Sequence, residues 1–399
     1  MQINPDSLPD ETWDAVVVGA GPAGAVCAAR LADRGRRVLA LDSARFPREK
    51  VCGDGLSPDA LACLGRLGIL DEVRAAGRTV RGVDVYSPSR IHIPLRGEFV
   101  TIMRRDLDSI VAARAVRAGA VFCQGHIERI DVPGDGPVAC SIAGNGGPAR
   151  ARVGIVATGA RLGLLEKLGM STRPRPSGVA LRCYVRSRSG PERLVVSYER
   201  KLLPGYGWIF PMGGNRFNVG VSVFRRHGHD GRADLRDAFE AFAWRHPASR
   251  AMMEAAERVT PLRGGIIRSA MEGARPVGEG SVLAIGETIG TALPYTGEGI
   301  GKAMETGELA AEVVDDALGS GDLSRLRRYG EGVDAELRPR YAEYLQAESW
   351  LARPWLNDLL ARAARHSRAG RAAAGDILSE TARPSDLFSL RGVLRALHG

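Results

Sequence analysis

The sequence predicts an α/β protein: a Rossmann-like nucleotide-binding domain, an antiparallel sheet inserted into it, and a helical C-terminal region. Three observations predict this. The run DAVVVG at 14–19 is apolar and β-branched, and ends in a glycine-rich turn that opens a helical pattern. A second strand, glycine loop and helix pattern, SVLAIGETIGTALPYTGEGIGKAMETGELAAE, lies far downstream at 281–312. Between them, residues 178–224 turn into short alternating runs separated by Gly, Pro and Ser, the texture of an antiparallel sheet. The boundaries read as 1–175 and 276–330 for the two parts of the nucleotide-binding domain, 176–275 for the insert, and 331–399 for the helical region.

The elements follow in order. AGPAGAVCAARLADRG carries Ala, Val and Leu at helical spacing and stops at Gly35, and RVLALDSA is the next strand, which completes a βαβ unit. Leu61, Leu64 and Leu67 mark the inner face of a short helix. RDLDSIVAARAVRAGAVFCQG reads as a helix running into a strand, and RVGIVATGA as a further buried strand. In the insert, GVALRCYVRS, ERLVVSYE, GYGWIFPMGG and RFNVGVSVF are the strands, and helices follow near 234–257. The last seventy residues are helical in pattern, with Pro339, Pro354 and Pro384 as punctuation.

Composition is that of an ordinary globular chain, with 44% hydrophobic and 25% charged residues among 399. The net charge of +9 is carried mostly by arginine, without a basic block or basic-aromatic motif, so nucleic acid is not an expected partner. Six single cysteines and seven histidines show no ligand spacing, which argues against a metal site and a disulfide framework. The polar N-terminus is no secretory signal and no apolar stretch is long enough to span a bilayer. A cytoplasmic protein is expected, with room for peripheral contact at a membrane face.

Gly19-Ala-Gly21-Pro-Ala23-Gly24 is a G-x-G-x-x-G placed between a strand and a helix, the context in which that motif cradles a dinucleotide. Gly19 permits the tight turn, Gly21 the approach of a pyrophosphate, and Gly24 close packing of helix on sheet. Asp42 ends the second strand, where a carboxylate accepts the ribose hydroxyls. Downstream, Gly286-Glu287 follows a strand, and Pro294, Gly297, Gly299 and Ile300 form a loop into a long helix. Backbone amides converging there would stabilise negative charge, as on a reduced flavin, so the two motifs together read as a two-part FAD site.

These motifs, with KVCGDGLSP at 50–58, RRDLD at 104–108 and GYGWIFP at 205–211, resemble the FAD-dependent geranylgeranyl reductase family, within the p-hydroxybenzoate-hydroxylase-like flavoproteins. The resemblance covers most of residues 13–320. It implies noncovalent FAD, a hydrophobic small-molecule substrate, and reduction of prenyl carbon-carbon double bonds by hydride transfer from reduced flavin. It places Cys52 and Gly53 beside the isoalloxazine ring and Arg48 and Arg104 within reach of the FAD phosphates. On residue type alone a single cysteine is a buried filler, so Cys52 stands between filler and proton source. Tyr206 and Trp208 alternate along one strand, and stand between sheet core and an aromatic wall that steadies positive charge.

Two departures from the superfamily are visible. Glu287 stands where aspartate is common, and Thr158 of ATGA replaces the aspartate associated with NAD(P)H, leaving NAD(P)H, ferredoxin or a separate flavin reductase as electron donor. The rival readings are a flavin monooxygenase acting on an aromatic compound or peptide side chain, and a non-catalytic lipid-binding flavoprotein. A flavin halogenase needs a lysine over the ring, and none lies between Lys50 and Lys167.

Overall fold

The computed structural model describes residues 2–3, 8–134, 136–144, 147–172, 175–225, 234–389 and 391–392. The expected helical region runs to 399, and its residues 390 and 393–399 lie outside the described ones.

The strand Thr12–Val18, the helix Pro22–Asp33 and the strand Val38–Asp42 form the βαβ unit that the sequence predicts. Val38–Asp42 is buried at every position, which explains why the run carries no polar alternation. Among the described residues there are two sheets, and the first has eight strands. Its parallel part runs Gln2–Ile3, Val121–Gln124, Val38–Asp42, Thr12–Val18 and Ala149–Val156, with Val282–Ala284 also paired to the last. The strands Val138–Ile142 and Ile127–Asp131 extend it in antiparallel fashion. The two glycine loops therefore start from the carboxyl ends of strands that share one neighbour, Ala149–Val156, where open α/β sheets hold their ligands.

The second sheet has nine strands, and it is not confined to 176–275. Gly178–Ser187, Arg216–Phe224, Gly207–Pro211 and Leu194–Ser197 continue into Arg78–Tyr86, His92–Thr101 and Gly55–Leu56. The early strands alternate in burial over part of their length: Val80 is buried between exposed Thr79 and Arg81, and Ile93 and Leu95 are buried between exposed His92, Pro94 and Arg96. Sequence reading passes over them because they sit between helices of the other domain. One face of this sheet packs on the helices Leu235–Arg245 and Pro247–Glu254 through Cys183, Val185, Ile209 and Phe242. The opposite face carries Trp208 and Phe210.

The helix Ile300–Ser320 follows the second glycine loop and packs on Pro22–Asp33 with no room for side chains between the backbones. A Cβ on Gly307 would lie 2.4 Å from the carbonyl oxygen of Ala23, and one on Gly286 2.6 Å from Ala23 Cβ. Arg30 and Glu308, 2.6 Å apart, and Arg36 and Asp315, also 2.6 Å, close the edge of the seam. The C-terminal helices are fastened to the start of Ile300–Ser320 by Lys302. Its ammonium lies 2.8 Å from Asp59, 2.8 Å from Glu305 and 2.7 Å from Glu380, and Arg340 also binds Glu380. Of the carboxylates Asp59, Glu298 and Glu380, which lie close to one another, Asp59 and Glu380 bind the Lys302 ammonium, while Glu298 accepts from the Gly301 amide.

A methyl group at 307 would have to push two backbones apart. We expect Gly307→Ala to cost about 1–3 kcal/mol in denaturant unfolding, and Gly163→Ala, where a Cβ meets nothing within 4 Å, to cost little. Equal losses would contradict the close seam.

Candidate functional site

The first loop is built on steric necessity. Gly19 has φ +106°, and a Cβ there would lie 2.3 Å from the Ala157 carbonyl oxygen. At Gly24 the Cβ would lie 1.9 Å from the Gly19 oxygen, so the helix enters the turn only with glycine at both positions. The helix start at Gly21 has no side-chain cap and no acidic residue in its first turn, so its amides face outward unshared. The Arg48 guanidinium stands 3.3 Å from where a Gly21 Cβ would be. Arg48 Nε is buried without a hydrogen-bond partner, its nearest carboxylate oxygen being Asp42 Oδ2 at 3.7 Å. Uncapped amides beside a guanidinium whose Nε has no hydrogen-bond partner fit a pyrophosphate. Asp42 itself holds the turn, accepting from the Ala20 amide at 2.9 Å and from the Ala44 amide at 2.9 Å.

Arg104, expected near the phosphates, is committed to a carboxylate. It is buried and forms a two-pronged bond to Asp108, Nε to Oδ1 at 2.8 Å and Nη2 to Oδ2 at 2.9 Å, while Arg48 Nη1 lies 3.1 Å from the same carboxylate. Its charge acts instead on Cys52. Ala23 packs its methyl group against Gly286.

At the second loop Gly286 has φ +66° and donates its N–H to Thr306 Oγ1 at 2.9 Å. Glu287 binds Lys50 Nζ at 2.8 Å and accepts from the Arg268 amide at 3.3 Å. A Cβ on Gly159 would lie 3.3 Å from Lys50 Nζ, so the ATGA turn, Lys50 and Glu287 form one cluster. Lys50 is therefore a site residue, which the reading of the lysine gap did not weigh. The loop Pro294–Gly299 is held from the sheet. Tyr206 Oη donates to the Thr296 carbonyl at 2.6 Å, and a Cβ on Gly297 would lie 2.5 Å from that hydroxyl. The amides do not all converge on open space. Glu298 Oε1 accepts from the Gly301 amide at 2.7 Å, so this helix start is capped by its own carboxyl.

Between the loops lies Val51-Cys52-Gly53-Asp54-Gly55. It presses on the aromatic strand: a Cβ on Gly53 would meet Phe210 Cε2 at 3.3 Å and Trp208 Nε1 at 3.6 Å, and one on Gly55 Phe210 Cε2 at 3.2 Å. Tyr206, Trp208 and Phe210 form a ladder with ring centroids 6.1 Å and 6.4 Å apart. Cys52 is half-buried, and burial pushes its thiol up against the pull of the Arg104 guanidinium, so it stays protonated. Trp208 is fixed rather than mobile, with Nε1 donating to Asn218 Oδ1 at 2.9 Å.

Asp54 locks this arrangement. It is fully buried at φ +65°, outside the range most side chains accept. Its Oδ2 accepts from Tyr184 Oη at 2.6 Å and from Asn218 Nδ2 at 2.8 Å, and the same Asn218 nitrogen donates to the Cys52 carbonyl at 2.8 Å. Arg182 stacks on the Tyr184 ring with 4.1 Å to the centroid. Sequence reading singled out none of Asp54, Tyr184, Asn218 and Arg182. The local signal for Asp54 was a carboxylate between two glycines in a loop already marked by Cys52; its partners lie 130 and 164 residues away.

Burial lifts the Asp54 carboxyl from 3.8 to about 6, against the bonds from Tyr184 and Asn218 and the charge of Arg182. A raised carboxyl favours folding in its neutral form. Its contribution is complete below the unfolded value and is lost as pH rises through about 6. Relative to Asp54→Asn, wild type should therefore lose about 2–3 kcal/mol of unfolding free energy between pH 4 and pH 8. A pH-independent difference between the two proteins would contradict a buried, shifted carboxyl.

Known proteins resemble this chain in sequence and fold. The family model described as lycopene cyclase protein matches residues 14–353. The chain is 34% identical over 369 residues to a menaquinone reductase of Mycobacterium tuberculosis, covering 82% of this chain and 83% of the relative. It is 30% identical over 343 residues to digeranylgeranylglycerophospholipid reductase 1 of Methanopyrus kandleri, covering 82% and 88%. A geranylgeranyl bacteriochlorophyll reductase-like protein from Thermoplasma acidophilum shares the fold with a TM-score of 0.76 at 23% identity, over 97% of this chain and 96% of that one. The chain belongs to the family that the lycopene cyclase model describes, and within it to the geranylgeranyl reductase-like flavoproteins.

Proposed function

We propose that the protein binds FAD and reduces carbon-carbon double bonds in the prenyl chain of a quinone or lipid. The reductase names of the relatives support this reading. The observation that carries it is the Cys52 loop seated on the Tyr206–Trp208–Phe210 ladder. When bound, the flavin supplies the hydride. An isolated alkene accepts hydride poorly, because the neighbouring carbon must take a proton and passes through positive character. Aromatic faces stabilise such charge by their quadrupoles, and the Trp208 ring is held in place for this by Asn218. The Cys52 thiol, pushed up by burial, holds a proton at Sγ on the loop that packs against this strand. Arg48, the Gly21 turn and Asp42 hold the dinucleotide, Glu287 and Lys50 the part nearer the ring. NAD(P)H, ferredoxin or a separate flavin reductase supplies the electrons.

Chemically reduced holoprotein should convert a menaquinone or a geranylgeranyl lipid, without oxygen, to a product heavier by two hydrogens per bond. Cys52→Ala should retain flavin and lose about 100-fold in turnover. A product that instead gains oxygen, in air only, would sink the reductase reading and favour monooxygenation.

A further inference from the structure

The helix Pro354–His366 covers the second sheet with its inner face, where Ala361 and Ala364 join Val80, Val83, Leu95 and Phe99 in one apolar cluster against which Phe210 also packs. Its outer face is unusual. Trp355 is 66% exposed and Leu359 38%, two of the few large apolar side chains left in solvent. Trp355, Leu359, Arg362 and His366 follow at spacings of four, three and four, so they form one stripe along the helix. Arg353 before it, Arg365 beside it and Arg368 after it are exposed as well. Among the described residues none of Arg353, Arg362, Arg365 and Arg368 takes part in an ion pair, on a chain where most arginines do. The helix has one carboxylate, Asp358, and that is buried in bonds to Ser87 and Ser89. The turn that binds Asp358 also carries Arg90, which donates to the carbonyl of Arg245; Trp244 beside it is 50% exposed. Asp237 and Glu240, exposed on the Trp244 helix, lie further back along that helix.

We propose that this face docks on an anionic lipid bilayer. Exposed tryptophan and leucine ringed by unpaired arginine match the interface, where an indole sits among headgroups and guanidinium meets phosphate. The choice of a bilayer over an acidic protein rests on the prenyl-substrate reading, since a prenyl chain dissolves in lipid. Docking here sets the membrane against a helix whose inner face shares its apolar cluster with Phe210 of the aromatic strand.

The test is flotation of the full-length holoprotein with vesicles of equal phosphatidylglycerol and phosphatidylcholine, against pure phosphatidylcholine. The anionic vesicles should carry about tenfold more protein, and salt should release it. The Trp355→Ser, Leu359→Ser pair and the Arg362→Glu, Arg365→Glu pair should each lower binding about tenfold or more, with unchanged melting and unchanged turnover on detergent-dispersed substrate. Variants that float like wild type, or a wild type indifferent to anionic lipid, would overturn the proposal. So would a dimer in light scattering that the apolar pair dissociates, which assigns the face to a second copy. No substrate is present during flotation, so its failure is separable from failure of the reductase reading.

Discussion

A buried carboxylate holds the site together. Asp54 lies on the loop that leaves the nucleotide-binding half, and both of its partners, Tyr184 and Asn218, belong to the second sheet. Asn218 bonds at once to Asp54, to the Cys52 carbonyl and to the Trp208 indole. One amide side chain thus registers a loop and an aromatic ring against each other. A lone buried carboxylate is costly, and here two donors offset part of that cost. The residual expense appears as the raised pKa and the left-handed backbone at Asp54. Stability is given up where the Cys52 loop meets the Trp208 and Asn218 side chains.

The nucleotide half meets a different constraint, the approach of backbones. Gly19, Gly24, Gly286 and Gly307 each stand where a methyl group would collide with a carbonyl or with Ala23. Together they draw the two glycine loops, which are separated widely in sequence, to one edge of the parallel sheet. Tyr206 then crosses from the second sheet to hold the loop at Thr296. Its phenol, pushed up by burial, stays protonated as a donor. Tyr206 therefore works as a strut between the halves, and Trp208 and Phe210 continue its ring ladder along the strand.

The sequence made the glycine framework legible because sterics admit no other residue there, and the spacing between strand, turn and helix is local. Cys52 and the GYGWIFP strand were legible through resemblance. The strands Arg78–Tyr86 and His92–Thr101 were missed despite their alternation, since nothing nearby says which sheet they join. The resemblance implies Arg104 near the phosphates, and the structure adds its partner Asp108, four residues on, which holds it in a buried fork. The bonds of Asp54 span the whole insert and leave no periodic trace. Long-range polar contacts between loops are where pattern reading stops.

Hydrogen–deuterium exchange of Tyr184→Phe tests the Asp54 lock directly. Removing one hydroxyl takes away the bond to Asp54 and little volume. The amides of 52–56 and 207–211 should then exchange faster than in wild type, while those of Val38–Asp42 and Thr12–Val18 keep their protection. Unchanged exchange at 52–56 would show that the Cys52 loop is held by something other than this carboxylate, and would contradict the account.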